Sequence, residues 1–314
     1  MATLNEIKNR ISGVRSTKKI TNAMYLISSV KMRKARADLE NVRPFFEAQA
    51  REIKRIFRNA PSVDSGYFSG SNMHKRKRKA KAYLVITADK GMAGAYNMNV
   101  LRALEKERRK DRSIKIFAIG ENGIRYFRNH RIPVVREFHE IAPTPSYKWA
   151  RMICAGLLTS YLSGEVNEIR MIYSDVESEL SCVVRNERLL PFSTEEFIDE
   201  DETERQKKYY NFEPSPEGIL ESFMPQYVSG NIYGALVDSF CAEQNSRMAA
   251  MRSANDNAEE LLYELRIEYN RIRQGMITQE ITEVAAGARS QKRKRKKKKH
   301  LKDDINSDTG GQTA

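Results

Sequence analysis

The residues best placed to do chemistry sit in one short segment, Thr87-Ala88-Asp89-Lys90-Gly91-Met92-Ala93-Gly94-Ala95-Tyr96-Asn97, which follows an apolar run. Glycines beside a lysine and an aspartate, between a strand and a helix, mark the place where phosphate-binding loops occur, because backbone N–H groups at a helix start can point at an anion. The spacing matches neither GxGxxG nor GxxxxGK(S/T): the lysine precedes the first glycine, and no serine or threonine follows it. A tight turn that uses glycine conformations is the better reading. Other chemical signals are thinner. His74, His130, His139 and His300 are scattered, without the HExxH spacing of a zinc site. Cys154, Cys182 and Cys241 are odd in number and far apart, fitting neither a disulfide framework nor a zinc knuckle. There is no GxSxG elbow. The acidic stretch 195–204 reads as a solvated loop rather than a metal site. No catalytic residue, metal or cofactor is expected.

The elements that would position this segment are α/β in character. Residues 82–87 and 114–120 read as buried strands, each followed by a helical segment, 99–109 and 122–129. A further helix is expected over 147–162, and strands over 169–173 and 182–185. Alternation of this kind implies a small, largely parallel sheet flanked by helices, a Rossmann-like central domain over 82–215.

The two ends read differently. Apolar residues fall at Leu4, Ile7, Ile11 and Val14, then at Ile20, Ala23, Met24, Ile27, Val30, Ala35, Leu39 and Val42, mostly 3 and 4 apart. The step from Val14 to Ile20 breaks the phase, so the seam is expected to shift or unwind near residues 15–19. The helix can resume after Pro44, with a kink there, through Phe45, Ile53, Ile56 and Phe57. In the other terminal segment Ala258, Leu262, Leu265, Tyr269, Ile272 and Met276 keep a 4-3-4-3-4 rhythm, the mark of a coiled-coil seam. Upstream, Ala235, Ser239, Ala242, Ser246 and Ala249 put small residues on one face. Two such helices are expected to pair with each other. The fold class is therefore α+β: a long antiparallel coiled coil of N- and C-terminal helices plus a central α/β domain. Its segments are an N-terminal helix over 1–60, a loop with a basic run over 61–81, the central domain over 82–215, a C-terminal helix over 216–288 and a disordered polybasic tail over 289–314.

Composition limits the alternatives. The chain has 314 residues, 31% of them charged and 40% hydrophobic, with mean hydropathy −0.64. No stretch reaches the roughly 18 consecutive apolar residues of a spanning helix, and the first residues lack a signal-peptide core. A soluble, cytosol-facing protein is expected. The formal net charge of +14 is concentrated in two runs, one from Lys75 to Lys81 and one from Lys292 to Lys302, which leaves the body close to neutral. A duplex-binding domain more often carries its charge on a folded face, interleaved with groups that reach bases.

Several motifs together resemble the gamma subunit family of F-type ATP synthases, bacterial type. Ile20-Thr21-Asn22-Ala23-Met24, with Ser29-Val30-Lys31-Met32-Arg33-Lys34-Ala35 behind it, looks like that family's N-terminal signature. The turn from Asp89-Lys90-Gly91 to Asn97 is similar to its central motif, and Phe212-Glu213-Pro214-Ser215-Pro216 to the entry of its last helix. Ser246-Arg247-Met248-Ala249-Ala250-Met251, Ala254-Asn255-Asp256-Asn257-Ala258, Tyr269-Asn270-Arg271-Ile272-Arg273-Gln274 and Ile277-Thr278-Gln279-Glu280-Ile281-Thr282-Glu283 complete the match. The resemblance implies a non-catalytic rotor. Its coiled coil would stand inside a hexamer of alpha and beta subunits and carry rotation of the membrane c-subunit ring to the catalytic beta subunits. ATP synthesis would then run on a proton or sodium gradient, at the cytoplasmic face of the cell membrane. It also implies contacts with the hexamer at Met24, Arg247, Arg273, Gln274, Thr278 and Glu280, and with the c ring and epsilon subunit at Tyr210 and Glu213. Asn22 departs from the basic residue usual in the signature, the chloroplast-type redox cysteines are absent, and the tail beyond Ala288 is an addition. The rival readings are a nucleic-acid-associated coiled-coil protein using the two basic runs and a small nucleotide-binding enzyme built on the central sheet.

Overall fold

The computed structural model describes residues 3–60, 63, 65–69, 80–177, 181–197 and 212–308, with the backbone alone at 196 and 296–308. The basic run at 75–79, most of the acidic stretch 195–204 and Tyr210 lie outside the described residues. The chain divides into two compact units, one of Met1–Ile20 with Ala254–Ala314 and the other of Thr21–Ser253. Two helices contribute to both: α1, Leu4–Asn59, and α5, Pro216–Asp308.

The larger unit holds a five-stranded sheet in the order β3-β2-β1-β4-β5, with β1 Ala80–Ile86, β2 Lys115–Ile119, β3 Arg136–Phe138, β4 Val166–Val176 and β5 Cys182–Leu190. The first four are parallel and β5 is antiparallel to β4. The mostly parallel sheet expected from the sequence is present. β3, which was not anticipated, is three residues long and too short to show a period. The helices α2 (Tyr96–Lys110), α3 (Glu121–Asn129) and α4 (Tyr147–Leu162) cover the sheet. Side chains alternate along β1: Tyr83 and Val85 pack with Val100, Leu104, Ile124 and Phe127, whereas Leu84 and Ile86 join a second core containing Ile53, Leu157, Val228 and Leu236 from α1, α4 and α5. Contacts from Gln49 to Gln226 and from Cys241 to the Met32 carbonyl set α1 and α5 antiparallel in this unit.

α1 begins in a capping box, the Thr3 hydroxyl accepting from Glu6 N at 3.3 Å while Thr3 N donates to the Glu6 carboxylate at 2.8 Å. It runs through the exposed Pro44 without ending. Its seam corrects the expectation of a phase break at residues 15–19. The helix is regular there, and its half-buried or buried positions continue Val14, Lys18, Thr21, Met24, Ser28, Met32, Ala35 in steps of 3 and 4. Polar residues keep the seam in phase: Ser28 is buried, and Lys18 carries its ammonium to Glu259 within the smaller unit. Of the expected seam residues, Met24 and Ala35 keep to the seam, whereas Ile20, Ala23, Ile27 and Val30 face outward.

In the smaller unit Ile7, Ala258, Leu262 and Leu265 are buried, and the expected rhythm of α5 persists to the half-buried Ile272. Met276, its last expected member, is exposed. Counted with opposed directions from the Lys18–Glu259 pair, Leu4 at the start of α1 comes level with Arg273, so the partner helix ends there. From Arg273 to Arg295 every residue is exposed. Beyond residue 288, where a disordered tail is expected, α5 continues to Asp308, and residues 309–314 lie outside the described residues. No proline or glycine interrupts that span after Gly287, and its alanine, arginine, glutamine and lysine residues favour helix. Among the described residues no helix is long and apolar enough to cross a membrane.

Candidate partner interface

The loop after β1 shows what its chemistry-bearing residues do. It lies at the carboxyl edge of the parallel strands, beside the point where the strand order reverses and where doubly wound sheets bind ligands. Here that crevice is filled: Ala88, Ala93 and Tyr96 are buried against Ala242 of α5, and the Tyr96 hydroxyl lies 2.6 Å from the Ser239 hydroxyl. Asp89 accepts from Glu121 N at 2.9 Å and so holds the start of α3, while the Asn97 side-chain carbonyl accepts from Ala88 N at 2.9 Å. Burial, with the charges of Glu121 and Glu140, raises the Asp89 pKa. Gly120 has φ +91, and a Cβ there would meet the Thr87 carbonyl oxygen at 2.1 Å, so the close approach of β1 to α3 requires glycine. Of the two loop glycines only Gly94 is left-handed; Met92 shares that conformation (φ 61) while 65% exposed. The motif is a structural lock with an outward-facing methionine.

Arg247, expected at a partner contact, closes the lock. It is 7% exposed, pairs with Glu243 at 2.6 Å and donates to the Gly91 and Lys90 carbonyls at 3.2 and 3.5 Å. Burial raises the Glu243 pKa and the Arg247 charge opposes that rise, so the pair is mutually dependent.

The other expected contacts are dispersed. Met24 is half-buried on α1. Arg273, Gln274, Thr278 and Glu280 are exposed on the bare part of α5, with the Thr278 hydroxyl donating to the Gln274 carbonyl at 2.9 Å. Glu213 is exposed before α5. Around them lies an apolar surface that periodicity assigned elsewhere or missed. Ile20, Leu26, Ile27 (55% exposed) and Val30 stand on the outer side of α1, and Met276, Ile277, Ile281 and Val284 (73%) on α5. The signal was present in the sequence: two overlapping sets of apolar residues on α1, more than one partner helix can cover. Isoleucine, leucine and valine exposed at helical spacing, not singly but in rows, are the composition of an interaction surface. Among the described residues no group of His, Cys, Asp and Glu could hold a metal ion.

The family model described as ATP synthase matches residues 3–290. The ATP synthase gamma chain of Caldanaerobacter subterraneus is 37% identical over 90% of this chain and 98% of its own length. The sodium ion specific ATP synthase gamma chain of Acetobacterium woodii is 36% identical over 91% of this chain and 97% of its own. In fold, a chain of the Euglena gracilis mitochondrial ATP synthase OSCP/F1/c-ring structure superposes with a TM-score of 0.63 at 15% identity, covering 91% of this chain and 94% of that one. A chain from the central stalk and c ring of the Tetrahymena thermophila enzyme gives 0.56 at 22%, covering 75% and 99%. The chain belongs to the ATP synthase gamma chain family.

Proposed function

We propose that this chain, a non-catalytic gamma subunit, turns as the central rotor of an F-type ATP synthase. Its terminal helices would stand inside the alpha and beta hexamer, and the region around Tyr210 and Glu213 would meet the c ring and the epsilon subunit. In this reading Met24, Arg273, Gln274, Thr278 and Glu280 face the hexamer, while Arg247 acts from within by holding the Asp89–Gly91 turn in place. The chain would be held peripherally at the cytoplasmic face of the cell membrane. Proton and sodium coupling fit equally, since the ion passes through the ring.

The observation that supports this most is the pair of unlike exposed surfaces: an isoleucine, leucine and valine row on α1, and a fully exposed α5 segment mixing Ile277, Ile281 and Val284 with Arg273 and Glu280. A catalytic site responds to a rotor only if different rotor orientations stabilise different site conformations, so the rotor must present unequal faces. The same asymmetry lets the rotor influence ATPase regulation. The nucleic-acid reading is disfavoured, because the charge is gathered into two runs of the sequence and the apolar rows have no role in it. The nucleotide-enzyme reading is disfavoured by the filled crevice. Affinity-tagged chain expressed in its own cell should bring down alpha and beta subunits in fixed proportion. Recovery of the chain without them would contradict the proposal.

A further inference from the structure

We infer that the cleft between α1, the β4–β5 ribbon and α5 is a binding site for a small organic cation, an ammonium group on an aromatic or branched apolar body, with Asp238 as its counter-ion. The cleft lies within the larger unit, is open on one side and has a volume of about 470 Å³, within the roughly 300–1,000 Å³ range of small-molecule sites. Phe46, Phe192 and Tyr227 line it with aromatic surface. Two glycines one helical turn apart on α5 shape it differently. At Gly230 a Cβ would strike the Phe46 ring at 2.6 Å, so that glycine lets the ring pack against the helix. At Gly234 a Cβ would meet nothing within 4 Å, so that glycine leaves space.

One turn further on, Asp238 brings a carboxylate into this space. Burial raises its pKa to about 6, and the charges of Asp175 and Glu187 add to the rise. The Tyr173 hydroxyl is already committed to Glu187 at 2.9 Å. Of the cations around the cleft, Arg185 is bound to Asp175 at 2.7 Å and Arg43 to Glu40 at 2.9 Å. Arg36 lowers the Asp238 pKa but does not cancel the rise, and Arg188 lines the cleft beside Glu187. A partly desolvated carboxylate in a cleft lined by aromatic rings is the chemistry that recognises an ammonium group, by charge and by cation–π attraction. A bound cation would join α1, α5 and the sheet, and none of the rotor contacts proposed above uses this cleft.

The test is equilibrium binding to the full chain of three probes of one shape: 2-phenylethylamine, 2-phenylethanol and phenylacetate. The amine should bind most tightly and phenylacetate least. Asp238→Asn should weaken the amine about tenfold, the size of one charge-assisted contact, and leave the alcohol unchanged. Amine affinity should also fall as pH drops through the range near 6 in which Asp238 takes up a proton. Gly234→Leu, which grows a side chain into open space, should abolish binding of all three while the circular dichroism spectrum stays the same. No amine binding, equal affinity for amine and alcohol, preference for phenylacetate, or amine affinity retained in both variants would overturn the assignment.

Discussion

The two stretches of α5 show one helix supported in two ways. From Leu220 to Ala242 it buries residues on almost every turn, including Met224, Val228, Ile232, Leu236 and Cys241, and it closes both the sheet's core and the crevice at the strand ends. From Arg273 to Arg295 it buries none. The first stretch is helical because tertiary packing makes it so. The second relies on helix propensity and on pairs along its own surface, such as Gln279 with Glu283 at 2.9 Å, which contribute only about 0.2–0.5 kcal/mol each. Packing holds a shape without help. Propensity alone leaves apolar residues waiting for a partner.

That comparison can be broken by substitutions whose effects should fall in a definite order. Arg247→Ala leaves the Glu243 carboxylate buried without its cation and frees the Lys90 and Gly91 carbonyls. The expected loss is about 3–5 kcal/mol in urea unfolding. A double change of Glu243 and Arg247 to glutamine and methionine should recover most of it, because no lone charge then remains. Ile232→Ala, at a fully buried site in the packed stretch, should cost about 2–5 kcal/mol. Val284→Ala in the bare stretch should change the stability of the isolated chain by less than about 0.5 kcal/mol.

Asp238 sharpens the same contrast through pH. Its pKa is held at about 6 against an ordinary 3.8, so the folded chain binds the proton more tightly than the unfolded one does. The advantage is fully present below about pH 3.8 and is lost as pH rises towards 6. Asp238→Asn should therefore match the parent near pH 4 and exceed it by about 1–2 kcal/mol at pH 7–8, read as a pH-dependent shift in the urea midpoint. A smaller gain belongs to the bare stretch: Gly275→Ala, where a Cβ meets nothing within 4 Å, should raise local helix stability by about 0.5–1 kcal/mol. Slower amide hydrogen exchange around residue 275 would show it.

Much of this was legible in the sequence, and the failures have a common cause. The span 147–162 was read to the residue, and β1, β2, β4 and β5 were found, because buried parallel strands and covering helices carry dense apolar signals. The α1 seam was misplaced between Val14 and Ala35 because apolar periodicity follows the largest side chains. There the buried edge is carried by Lys18, Thr21 and Ser28, and the large side chains at Ile20, Ile27 and Val30 face outward. A lysine can serve a seam by laying its stem along it and sending its charge to Glu259, which no hydropathy pattern registers. Arg247 was singled out by motif alone. The long-range carbonyls of Lys90 and Gly91 that hold it are visible only in the fold.

The central claim is that the bare α5 stretch and the outer row on α1 are contact surfaces of a rotor. The most direct test is to compare ATP synthesis by vesicle-reconstituted complexes carrying the parent chain with synthesis by complexes carrying Ile27→Glu or Ile281→Glu. Both isoleucines are exposed in the chain alone. The account predicts that each variant unfolds at the parent's urea midpoint, within about 0.5 kcal/mol, yet assembles poorly or loses gradient-driven ATP synthesis. Full assembly and undiminished synthesis with a charge at both positions would contradict it.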